Sequence, residues 1–562
     1  MRIKTQVLIP VTAVLAMWGL LVAGVQDSLE AQTSQRDLPA SEAAGLAVIQ
    51  GTVIAADTGR PLRRALVRIS GGGLREPVAV ATDEDGRYRM TRLAAGRYTM
   101  SASKAGYLTL SFGQRRAREA GRPVEVMANR TMSNVDFALP PGGVITVRVS
   151  DEFGEPVPDV TVQVQQMAYL DGVPTFVTPG NQTLPMLTSD QGEVRVSGLP
   201  PGDYYVSANL RTRVVFDSSD NKTSYTPTYY PGTPSISEAQ RVSLSIGHEL
   251  SLDFPLATAR ASTIAGYITR ADGDRHANPA VALTQYVGGV ATTTSTRGVS
   301  VQSNGAFSIV GVVPGDYLIN VSGGPGASPR EYAFVPMTVT GTDVSGLSIT
   351  TMRYGKALGR LMFESEIPTS LKPGAIRMNA LSTERHVAST ADWRWNEDWT
   401  FEVEGLAGHR VIRMVDGSSG WYLKSVMMDD QDITDIPIDF DRYKDVDGIH
   451  VTLTREVTDF VGTVVDNRRV PVLDYAVVVF SEDRSKWSSW SRYIGHARPD
   501  QNGLFRIRAL PPGQYRAVAV DYLESGSERA PEFLARLSNM SDRVVLTQGQ
   551  PVNTVLTLRN VP

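Results

Sequence analysis

Apolar and polar residues alternate along most of the chain in short runs. Ala65, Val67 and Ile69 form one such run, Tyr88 and Met90 another, and Tyr98, Met100 and Ala102 a third. The same trio returns as Val160, Val162, Val164, then Val194, Val196, then Tyr204, Val206, Ala208. A period of two predicts strands with one buried face. The runs stop at turn residues, as in Asp85-Gly86, Asn304-Gly305 and Asn502-Gly503, which tolerate positive φ.

The alternation is organised by a repeated phrase. Gly86, Tyr88, Met90, Leu93, Gly96 and Tyr98 set its spacing. Gly192, Val194, Val196, Leu199, Gly202 and Tyr204 repeat it, followed by Gly305, Phe307, Ile309, Val312, Gly315 and Tyr317. Gly503, Phe505, Ile507, Leu510, Gly513 and Tyr515 are the last copy. Between these two lies a worn copy, Trp399, Phe401, Val403, Leu406 and Gly408. Each phrase predicts strand, tight turn, strand. In the worn copy Trp399 replaces the turn glycine and Arg410 stands near the usual tyrosine, so its hairpin is expected to be built differently. The copies recur at intervals of about 100 residues, the size of a small domain. Short strands with frequent turns indicate β-sandwiches. The expected fold is therefore all-β, a tandem array of five sandwiches at 46–140, 141–258, 259–353, 354–456 and 457–562. The joins are short, and an extended, semi-rigid string is expected. One helix is predicted over residues 531–537, with Phe533, Leu534 and Leu537 on one face.

The openings Gly51-Thr52-Val53, Gly266-Tyr267-Ile268, Gly359-Arg360-Leu361 and Gly462-Thr463-Val464 point further. So do the turns Gly59-Arg60-Pro61 and Gly154-Glu155-Pro156. With the five phrases, they make the chain resemble the carboxypeptidase regulatory-like domain family. Tyr229-Tyr230-Pro231-Gly232, Trp421 to Val426, and Phe480 with Trp487 and Ala497 to Asp500 fit its multi-repeat bacterial secreted members. The resemblance implies transthyretin-like Greek-key sandwiches. It implies no peptidase, because in metallocarboxypeptidases this domain resembles an accessory module beside a separate zinc domain. A second resemblance is to pilin-type sandwiches cross-linked by Lys–Asn isopeptide bonds. The segment 259–353 contains no lysine, which rules that mechanism out for the array.

Composition narrows the function. The 562 residues carry a net charge of −4, with no basic stripe of the kind that binds nucleic acid. The absence of cysteine removes disulfides and thiolate chemistry. Arg2 and Lys4 precede an apolar run from Val7 to Val25, which reads as a signal peptide over 1–31 with cleavage before Gln32, or as an uncleaved anchor. Residues 32–45 read as a linker. The expected location is secreted, periplasmic or cell-surface.

No catalytic constellation is present in the sequence. His248-Glu249 lacks the second histidine of a zinc motif, and His276, His386, His409, His450 and His496 are isolated. No Gly-x-Ser-x-Gly elbow or P-loop occurs. The chain is expected not to be an enzyme and to need no cofactor or metal. Three groups could bind. Trp393, Trp395 and Trp399 share a strand face and either stack on sugars or pack the irregular unit. Trp487, Trp490 and Tyr493 lie in a Ser-rich loop and either face solvent or cover a sandwich end. Asp429, Asp430, Asp432, Asp435, Asp439, Asp441, Asp445 and Asp447 either hold calcium or form turns. The leading expectation is a non-enzymatic binding or spacer protein, with polysaccharide as ligand by analogy with fold relatives. The alternative is a structural accessory subunit or stalk that holds another envelope protein, and an enzyme with an unrecognised site is the third reading.

Overall fold

A computed structural model describes residues 46–560 except 75, 117, 180–185, 211–215, 219–220, 275–278, 288–289, 296–297, 324–329, 385–390, 416–419 and 443–444. The apolar leader, the linker, His276 and His386 thus lie outside the described residues. The protein is all-β, built of tandem sandwiches. Separate hydrophobic cores centre on Val53 and Tyr98, on Val147 and Tyr204, on Ile264 and Ile319, on Ile449 and Trp421, and on Phe460 and Tyr515. The segments around them keep the numbers one to five of the sequence reading.

In segment one, strand Ala47–Ala55 lies between Arg87–Leu93 and the short strands Thr131–Met132 and Phe137–Leu139. A second sheet, centred on Leu66–Gly71 and Gly96–Ser103, packs against it. One rule recurs in every segment. The opening strand pairs antiparallel with the first strand of the phrase and parallel with the closing strand. The opening glycine follows from this sandwiched position. A Cβ at Gly51, Gly266, Gly359 or Gly462 would fall 2.1, 1.9, 2.3 or 2.2 Å from a carbonyl oxygen, too close for any side chain.

The phrase's terminal tyrosine closes its own turn. Tyr317 and Tyr515 donate to the carbonyls of Val313 and Pro511 at 2.8 and 2.6 Å, and Tyr98 reaches Ala94 at 2.8 Å. Tyr204 makes the same bond to Pro200. In segment four Arg410 does this work instead. Its Nε donates to Ala407 at 2.8 Å and its Nη1 to Ala380 at 3.1 Å. The fourth hairpin, expected to differ, keeps the common turn. Trp399 itself adopts φ 67°, beside 71°, 71°, 81° and 78° for Gly86, Gly192, Gly305 and Gly503. The Trp399 carbonyl accepts from Leu361 at 2.9 Å, as the Gly86 carbonyl accepts from Val53 at 2.8 Å. An indole in this region carries strain of about 1–3 kcal/mol, which packing against Phe363 must offset.

Segment five adds a layer. The helix Pro531–Ser538 buries Phe533, Leu534 and Leu537, as its pattern predicts. It covers the outer face of strands Ala476–Ser481 and Gly513–Val520, so every residue of Ala476–Ser481 is buried.

The segments do not form an open string. Segment five packs against segment four and also reaches back to segments one and two. Glu119 forms an isolated antiparallel bridge with Glu524, and Ser525 donates to the Arg118 carbonyl at 2.8 Å. Gly172 donates to the Gly526 carbonyl at 2.9 Å, and Tyr169 packs on the helix layer. The expectation of an extended chain is therefore corrected. Short joins fix the angles between neighbours, and here those angles return the chain to its start.

Candidate functional site

The aromatic groups fall mainly to packing. Trp393 and Trp395 share a face, stacked at 5.5 Å and 18°, and both rest on Phe401. Trp399 turns instead to Phe363, 4.7 Å away. All three are half-buried against the core of segment four. Trp487 is 6% exposed, sits edge-on to Phe480 and donates its indole N–H to the Ser481 carbonyl at 2.8 Å. It is a core residue, because the helix layer gives a Ser-rich loop something to cover. Trp490 and Tyr493 remain half-buried, with Arg413 5.9 Å from the first ring and Lys486 4.2 Å from the second.

The acidic run is spread over turns and ion pairs. Asp432, Asp439 and Asp447 accept from the backbone of Thr434, Asp441 and Gly448 at 2.9, 3.0 and 2.6 Å. Asp435 bridges Arg413 and Arg492, each at 3.0 Å. Asp441 accepts from Gly408 at 2.9 Å and from the Tyr332 hydroxyl, joining segments three and four. Asp445 pairs with Arg353 at 3.2 Å. Among the described residues no group of three His, Cys, Asp or Glu could hold a metal ion. His409 sits 2.6 Å from Glu384, whose carboxylate raises the imidazole pKa.

The densest polar constellation is one that motif reading missed. It is the seam between residues 113–125 and segment five. Arg115 pairs with Asp474 at 2.9 Å and Arg118 with Glu524 at 2.7 Å. Arg118 also donates to Gln166 at 3.0 Å, tying in segment two. Arg122 reaches the Pro499 and Asp500 carbonyls. Burial lowers the Arg122 pKa, against the opposing pull of Asp474. Glu125 and Gln501 exchange two hydrogen bonds, each 3.1 Å. At the centre Arg498 contacts Glu119 and Asp474, with the Arg498 and Glu119 side chains 3% and 4% exposed. The signal in the sequence was the local excess of Arg115, Arg116, Arg118 and Arg122 in a chain of net charge −4.

Residues 48–140, which carry one half of this seam, match the family model of the carboxypeptidase regulatory-like domain. Segment one is thus similar to a carboxypeptidase regulatory-like domain. No curated protein matches the chain. Among solved structures it is similar to the Bacillus anthracis TIE protein, at 12% identity and TM-score 0.16, over 55% of this chain and 51% of that one. The chain thus spans about half the length of that relative. It is also similar to a streptococcal ancillary pilin, at 11% identity and TM-score 0.21, covering 55% and 99% of the two chains. GBS52, the minor pilin of Streptococcus agalactiae, aligns at 14% identity and TM-score 0.20, over 37% and 94%. At these TM-scores the likenesses carry no argument about activity. The part of segment one that joins the seam is its 113–125 stretch, outside the opening and phrase residues that carry the resemblance.

Proposed function

We propose that the chain is a non-enzymatic structural accessory protein of the cell exterior, built to hold several sandwiches in one fixed, closed arrangement for another envelope component. The observation that carries this reading is the seam. Burying Arg498 and Glu119 between distant segments costs desolvation that only good geometry repays. A loose string of binding modules has no use for such a pair. The apolar run Val7–Val25 supports export. No helix among the described residues is long and apolar enough to cross a membrane.

The glycan-binding reading keeps one specific support, the stacked and half-exposed Trp393 and Trp395. Photo-cross-linkers placed at exposed positions in living cells separate the two. The structural reading expects one envelope protein to be captured in near-equal amount. If no protein is captured while the purified chain retains glycan, the binding reading replaces it.

A further inference from the structure

Beside the seam, segments one and five enclose an open groove of about 500 Å³. Its lining carries Arg97, Arg492, His496, Arg498, Arg506 and Arg508, and no carboxylate. The carboxylates that pair with these side chains lie outside that lining. Asp435 is shared by Arg413 and Arg492. Asp459 is shared by Arg506, and by Arg508 at 3.9 Å. Two carboxylates thus serve four guanidiniums. Arg97 has only Glu125, at 3.9 Å. His496 faces Glu528 at 3.3 Å, and Arg498, almost fully buried in the floor, pairs with Glu119 and Asp474 while its Nε has no acceptor among the described residues.

From this charge we infer that the groove is a binding site for an acidic polysaccharide, a chain whose carboxylates or sulfates meet the spare guanidinium N–H groups. The inference goes beyond the structural role and depends on closure, because the two walls belong to opposite ends of the chain. Arg506 and Arg508 are two residues apart on strand Phe505–Arg508, so they project on one face about 7 Å apart. Arg97 and Thr99 repeat that spacing on strand Gly96–Ser103 opposite. Such rows suit a repeating anion better than a single ion, and guanidinium suits planar oxyanions. No aromatic ring lines the groove to stack a nucleic-acid base. Its larger apolar lining residues, Ile494, Ile507 and Leu510, are themselves buried, so a peptide finds no apolar anchor.

The test uses the full chain, calorimetry, and polygalacturonate, dextran sulfate, plain dextran and polyglutamate of matched length. Polygalacturonate or dextran sulfate should bind, and which of them is tighter reports the carboxylate or sulfate source. Plain dextran should not bind. Binding should weaken strongly as added salt shortens the Debye length from about 10 Å to about 3 Å. Arg97→Gln with Arg508→Gln, the loosely paired positions, should weaken it by about tenfold or more. Thr99→Glu, a second and independent change, should do the same. Scattering on each variant shows that the chain stays closed, which separates loss of the site from loss of the arrangement. The inference is overturned if neither acidic polymer binds the closed chain, if plain dextran binds equally, or if both variants bind as the parent does. Polyglutamate binding as tightly as the glycans would overturn the polysaccharide assignment.

Discussion

Single residues decide how each sandwich closes. Gly462 is the sharpest case, with a strand on either side and the Thr554 carbonyl where a Cβ would stand, 2.2 Å away. Gly462→Ala should destabilise the chain by about 1–3 kcal/mol or more, read by denaturant unfolding, since the parallel pair cannot yield. Trp487 fills a site under the helix layer, so Trp487→Ala should cost about 3–5 kcal/mol in the same measurement. Trp490→Ala, at a half-buried ring, should cost clearly less. His409 titrates above its ordinary 6.5 because Glu384 favours the imidazolium, with Asp439 and Asp441 adding to it. A raised folded-state pKa means this pair's stabilisation is complete below pH 6.5 and fades as pH rises through the folded value. An NMR titration should show that pKa falling towards the ordinary value in Glu384→Gln. The opening glycines were legible in sequence because no side chain fits their positions, and the phrase tyrosines because they recur at one spacing, with Arg410 the exception. Trp399 was not, since nothing local announces an indole held at φ 67° by tertiary packing.

At the scale of elements, alternation and turn chemistry were enough for the hairpins and for the helix Pro531–Ser538. They were not enough for the segment 113–125. It lacks a period, and its partners Asp474, Asp500 and Glu524 lie far along the chain. Sequence shows the excess arginine but not the acids that answer it. The covering of Trp487 was hidden for the same reason, because burial there comes from a helix some forty residues on. The seam makes a distinct prediction. Arg498→Met leaves Glu119 buried without its charge partner, a change that costs about 3–5 kcal/mol. The loss should fall on docking rather than on either core. Hydrogen exchange should therefore speed at residues 118–125 and 524–526 while strands Ala47–Ala55 and Ala476–Ser481 keep their protection.

At the scale of the molecule, closure is the central claim, and both the structural role and the arginine groove depend on it. Short joins alone are compatible with a rod as well as with a ring. What selects the ring is the set of contacts that segment five makes with segments one and two. Small-angle scattering of the purified chain tests this directly. Five sandwiches in a row would reach about 170 Å with a radius of gyration of about 50 Å, whereas a closed arrangement of the same units gives about 30–35 Å. The closed value, rising towards the open one in Arg498→Met, is the result expected. An open value for the unaltered chain at low salt would contradict the account.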